Sequence, residues 1–135
     1  MVAASPGTIE VKPDPHDVPP RILIVEDNFL VAADLASTVR SLGYSVIGPV
    51  ASVNDGLRLA GEEDLSMAIL DINVTGGSVR PVAEALRNRH TPFVFITGYA
   101  SPDLDPEMLH YAKRLLKPID AMTLEKVLAE ELGEV

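Results

Sequence analysis

Ile22-Leu23-Ile24-Val25-Glu26-Asp27 runs four apolar residues straight into two carboxylates, and the same design recurs three times downstream. Asp71 closes Met67-Ala68-Ile69-Leu70, Thr97-Gly98 close Phe93-Val94-Phe95-Ile96, and Lys117-Pro118 close Leu115-Leu116. Apolar runs this short, alternating with helix-patterned stretches, read as parallel strands covered on both faces. Groups at the carboxyl ends of such strands converge on one crevice. Three carboxylates, a hydroxyl and an ammonium should therefore meet there, which is equipment for a hard divalent cation beside a phosphoryl group.

Between the strands, a first helix begins near Asn28 and carries Val31, Leu35, Val39 and Leu42 on one face, ending at Gly43. A second strand covers Ser45 to Ala51. Gly48-Pro49 interrupts it, which suits an edge strand because proline supplies no ladder donor. A second helix spans roughly Val53 to Ala60 and is closed by Gly61, and Gly76-Gly77 form a loop after the third strand. The third helix takes Val79 to Arg89 with Pro81 in its first turn. The last helix covers about Ala121 to Leu132, with Leu124, Val127, Leu128 and Leu132 as its buried stripe. Five strands and their helices make an α/β fold, a doubly wound parallel sheet. The fourth helix is expected to be short or irregular, because Pro102 and Pro106 restrict it to Pro106 through about Ala112.

Residues 1–20 hold five prolines without apolar periodicity and read as a disordered arm; 21–135 read as a single folded domain with no output domain attached. The formal charge of −9 opposes nucleic acid and anionic membrane surfaces as partners. There is no cysteine, which removes disulfides and thiolate metal sites. No secretory signal or membrane-length apolar run is evident, so a cytoplasmic location is expected. His16, His90 and His110 lack a second ligand at metal spacing.

Each cluster taken alone has a plainer reading: Asp27 as a helix N-cap, Asp71 as a solvated strand end, Thr97-Gly98 as turn chemistry. Together, Ile24-Val25-Glu26-Asp27-Asn28, Leu70-Asp71-Ile72-Asn73, Phe95-Ile96-Thr97-Gly98-Tyr99 and Leu115-Leu116-Lys117-Pro118-Ile119 resemble the receiver domain of bacterial two-component response regulators, over about residues 20 to 134. The resemblance implies a flavodoxin-like sheet of order 2-1-3-4-5. It implies Asp71 as phosphoacceptor, with Glu26, Asp27, Asp71 and the Asn73 carbonyl holding Mg²⁺ or Mn²⁺. Lys117 and Thr97 would contact the phosphoryl oxygens, Gly98 would let the backbone approach them, and the Lys117-Pro118 bond would be a candidate cis peptide. The partners implied are a sensor histidine kinase and a downstream protein or phosphotransfer protein. Such a protein is not an enzyme in the ordinary sense, although it catalyses its own phosphoryl transfer and dephosphorylation.

The chain departs from the common pattern at Arg114, where many receivers carry a rotating aromatic. Pro92-Phe93-Val94-Phe95-Ile96-Thr97-Gly98-Tyr99 instead resembles the FAT GUY subfamily, whose members often stand alone and work with HWE-type or related kinases; Ile96 replaces the usual Ala. With Arg114 unable to serve as that switch, the signal is expected to leave through Thr97, Tyr99 and the segment up to Ala112. Two alternatives stay open. One is an aspartate-nucleophile phosphohydrolase, because Asp71-Ile72-Asn73-Val74-Thr75 loosely resembles the haloacid-dehalogenase motif, with Asn73 where that motif needs a second acid. The other is a pseudo-receiver adaptor that is never phosphorylated. A flavodoxin-like cofactor binder is disfavoured, since the first strand leads into acids rather than a phosphate-binding loop.

Overall fold

The structure, a computed structural model, describes residues 18–98 and 112–133. Five parallel strands form the sheet: β1 (Arg21–Val25), β2 (Ser45–Val50), β3 (Met67–Asp71), β6 (Phe93–Thr97) and β7 (Arg114–Leu116). Between β3 and β6 lie two short strands, β4 (Asn73–Val74) and β5 (Gly77–Ser78), paired antiparallel. The helices are α1 (Phe29–Ser41), α2 (Val53–Glu62), α3 (Arg80–Asn88) and α4 (Ala121–Leu132). The sheet order is β2-β1-β3-β6-β7, which is the flavodoxin-like 2-1-3-4-5 once the small hairpin is set aside.

Period-two alternation divides the core cleanly. Leu23, Val25, Ala68, Leu70, Phe93 and Phe95 face α2 and α3, where they meet Ala60, Val82, Ala83 and Leu86. Their chain neighbours Ile22, Ile24, Met67, Ile69, Val94 and Ile96 face the other way, onto Leu35, Ala36 and Val39 of α1 and Leu124, Val127 and Leu128 of α4. A strand buried on both faces must be apolar throughout, which is why the runs showed no polar alternation. Gly56 sets the spacing on one side. A Cβ there would meet Val82 and Val25 side chains at 3.1 and 3.2 Å, so the glycine lets α2 lie close on β1 and α3.

The strand broken by Gly48-Pro49 is indeed at the edge. Its register against β1 slips between Leu23 and Val25, where Gly48 sits at φ 92° and its bond to Pro49 is cis. Other expectations need correction. Gly61 does not close α2, which runs on to Glu62. The Arg89 guanidinium reaches across from the end of α3 and donates to the carbonyls of Ala60 and Glu63, so the helix end is capped from outside. Gly76 and Gly77 are not a plain loop: Gly77 belongs to β5, and Gly76 at φ 99° turns the hairpin. Val79 precedes α3 as its N-cap and Arg89 follows as its C-cap. The expected helix over Pro106 to Ala112, apart from Ala112 itself, most of the N-terminal arm (residues 1–17), His16, His110 and Tyr99 lie outside the described residues. Among the described residues, no helix is long and apolar enough to cross a membrane.

Candidate metal and phosphoryl site

Parallel pairing in register brings the ends of β1, β3, β6 and β7 to one edge, with Val25 beside Leu70, Asp71 beside Ile96 and Thr97 beside Leu116. Glu26, Asp27, Asp71, Thr97 and Lys117 therefore emerge at the same edge of the sheet. Glu26 and Asp71 are buried, at 2% and 6% exposure, as is Thr97 at 3%, whereas Asp27 is exposed. One carboxylate oxygen from each of Glu26, Asp27 and Asp71 lies within 4.8 Å of the others.

Lys117 is held between the two buried acids. Its Nζ is 2.8 Å from Asp71 Oδ2 and 2.5 Å from Glu26 Oε1. Asp71 Oδ1 accepts the Asn73 amide at 3.1 Å, and Glu26 Oε2 accepts the Asn28 amide at 2.9 Å. Glu26 Oε1 is the exception: it is buried and close to the ammonium, yet no donor is aligned on it as a hydrogen bond. Burial drives the Glu26 carboxyl up to about 7, with Asp71 adding to the rise and Lys117 and the Asn28 amide opposing it. Burial pulls the Lys117 ammonium down, but its hydrogen bond to Asp71 and its ion pair with Glu26 outweigh this and leave it above the ordinary lysine value.

A divalent cation fits this donor set. Three carboxylates face one ammonium, so Lys117 alone does not match the acids gathered there. Mg²⁺ takes oxygen ligands and commonly keeps several waters, so three carboxylate oxygens within 4.8 Å of one another could hold it without filling its shell.

The other sequence candidates are placed as follows. Asn73 lies in β4, immediately beyond Asp71 and Ile72, with its side chain exposed. The Thr97 hydroxyl donates to the Gly98 carbonyl at 3.2 Å, and its carbonyl accepts the Lys117 amide at 2.8 Å. Among the described residues, a Cβ on Gly98 would meet nothing within 4 Å. The Lys117-Pro118 peptide is cis. Arg114 starts β7 with its side chain exposed.

Two features escaped the sequence reading. Phe29 and Leu30, in the first turn of α1, are 81% and 76% exposed beside the acidic pair. Leu30 also borders a cleft of about 560 Å³ with Val31, Ile96, Lys117, Pro118 and Ile119. Their signal was available: both fall off the Val31-Leu35-Val39 stripe that buries the helix. The second is Asn28, whose side chain caps α1 while its amide holds Glu26.

Fold and site together define a doubly wound α/β domain whose polar groups gather at the carboxyl edge of its sheet. Residues 22–129 match the family described as response regulator receiver domain, and the chain belongs to that family. It is 32% identical over 119 residues to the phyllosphere-induced regulator PhyR of Methylorubrum extorquens, a match covering 86% of this chain and 45% of that protein. The chain thus spans about half the length of the curated relatives it matches. Among solved structures, SdrG from Sphingomonas melonis Fr1 superposes with a TM-score of 0.75 at 36% identity, covering 84% of this chain and 97% of that one. A CheY-like receiver domain from Methanospirillum hungatei, at 24% identity and TM-score 0.76, covers 85% of this chain and 94% of its own and shares the fold.

Proposed function

We propose that this chain is a phosphorylation-controlled receiver that accepts a phosphoryl group from a histidine kinase onto Asp71 and signals through protein contacts. The observation that carries the reading is the complete set at one strand edge: Asp71 paired with Lys117, with Glu26 and Asp27 in reach of a shared cation. In the transfer, an Asp71 carboxylate oxygen bonds to phosphorus as the phosphorus–nitrogen bond to the donor histidine breaks and the imidazole leaves with that electron pair. Anion meets anion in this step, so positive charge must be concentrated at the site. Glu26, Asp27, Asp71 and the Asn73 carbonyl would hold Mg²⁺ or Mn²⁺, which supplies that charge when bound. Lys117 neutralises a phosphoryl oxygen, Thr97 donates its hydroxyl to another, and Gly98, without a side chain, lets the backbone approach them.

The exposed Phe29 and Leu30 and the apolar cleft beside Lys117 support docking of a donor protein at this edge. The Thr-Gly-Tyr segment and Arg114 support the FAT GUY reading and a kinase of HWE type. In this reading the signal passes from Thr97 into Tyr99 and the residues beyond it. The charge of −9 supports a protein partner, downstream or in a relay, rather than nucleic acid or membrane, and a cytoplasmic setting.

Intact-mass analysis after incubation with acetyl phosphate and Mg²⁺ tests the assignment. Wild type should gain one phosphoryl group and Asp71→Asn none. Equal labelling of both overturns Asp71 as acceptor, and multiple turnover of a small phosphate ester favours the phosphohydrolase instead.

A further inference from the structure

We infer that Asn28 is a positioning residue for the metal centre, acting through Glu26 to fix which carboxylate oxygen is offered to the cation. The inference rests on the metal-binding part of the proposed function. The chain leaves β1 at Val25 and enters α1 at Phe29, so residues 26–28 must make the whole turn. Glu26 is anchored at its backbone, where its amide donates to Val50 on the edge strand at 2.9 Å. Its side chain is anchored by Asn28, whose amide donates to Oε2 at 2.9 Å.

That amide is in turn held in place by the Asn28 side chain. Asn28 is the N-cap of α1, in extended conformation at φ −80° and ψ 114°, and its Oδ1 accepts from the Leu30 and Val31 amides at 3.0 and 3.1 Å. One residue thus satisfies two free donors of the helix and presents its own donor to the acid. With Oε2 held, Oε1 is turned into the site, where it faces the Lys117 ammonium at 2.5 Å. An uncharged cap also adds no fourth negative charge beside three carboxylates. Without Oδ1, nothing keeps Asn28 extended, and the amide that orients Glu26 can turn away with the first helical turn.

The test is the Mg²⁺ dissociation constant, followed through backbone amide resonances of the full chain. Asn28→Ala should weaken binding on the order of tenfold, as loss of a residue orienting a metal ligand commonly does. Asn28→Ser, which keeps a neutral capping oxygen, should bind within about twofold of wild type. In a Glu26→Gln background, Asn28→Ala should cost nothing further, because its effect runs through that carboxylate. Should Asn28→Ala unfold, Asn28→Gly replaces it, since glycine is tolerated at an N-cap, and the same loss is expected. Wild-type affinity in the Ala or Gly variant overturns the inference, as does an equal loss in the Glu26→Gln background. Wild type that fails to bind Mg²⁺ at all defeats the metal reading, and this inference with it.

Discussion

At the amino ends of the strands, Arg21 and Arg89 reach Glu63, Asp64 and the last carbonyls of α2 across partly exposed surface; at the carboxyl ends, the buried Glu26 and Asp71 share one ammonium between them. Both ends tie together elements far apart in sequence. The amino end does so with opposite charges that keep access to water, where pairing adds little but costs little. The carboxyl end gathers like charges out of water, an arrangement that opposes folding until a cation offsets it. Charge at the amino end ties the fold together, and charge at the carboxyl end lies at the proposed metal and phosphoryl site.

The largest effect should come from removing the ammonium that the two buried acids share. Lys117→Met leaves Glu26 and Asp71 without their shared ammonium. Urea unfolding of the metal-free protein should show a loss of about 2–3 kcal/mol, less than a fully buried broken pair because Glu26 can take up a proton. A loss no greater than that of an exposed ion pair would remove the contrast between the two ends.

A smaller effect is expected at the amino end. Arg89→Ala deletes two hydrogen bonds to carbonyls at the end of α2, from a side chain 40% exposed. Stability should fall by about 1 kcal/mol, and hydrogen exchange should speed up in the last turn of α2 while the Mg²⁺ affinity stays at the wild-type value. A change in metal affinity would show that the two ends are coupled rather than separate.

Much of this contrast was legible in the sequence at one end and not at the other. The four strand ends could be read because apolar runs have a type, a length and a terminus, and parallel strands end together. Asp71, Glu26, Asp27, Thr97 and Lys117 were placed that way, as was the edge position of the strand containing Gly48-Pro49. The amino end could not be read, because the contact of Arg89 with Ala60 joins residues 29 apart and no local pattern encodes it. For that reason Gly61 looked like a helix stop: its intrinsic preference was visible, and the distant cap that overrides it was not. The β4–β5 hairpin was missed because strands of two residues are shorter than any period can register. The sharing of Lys117 between Asp71 and Glu26 was equally invisible, since the position of an ammonium in a pocket depends on packing around both acids.

The smallest expected effect is the most direct test, and it is read as the difference that Mg²⁺ makes to the melting temperature at two pH values. The Glu26 carboxyl is raised from 4.5 to about 7 in the fold, so between those values the folded protein holds a proton the unfolded chain has lost. This contribution to metal-free stability is fully present below the unfolded value and is lost as pH rises through about 7. Mg²⁺ must compete with that proton, so its stabilisation should grow with pH, by roughly 1 kcal/mol or less between about pH 5 and pH 8. The account predicts a clear rise in melting temperature with Mg²⁺ at about pH 8 and a smaller one at about pH 5. A melting temperature that millimolar Mg²⁺ leaves unmoved at both pH values, or raises equally at both, would contradict it.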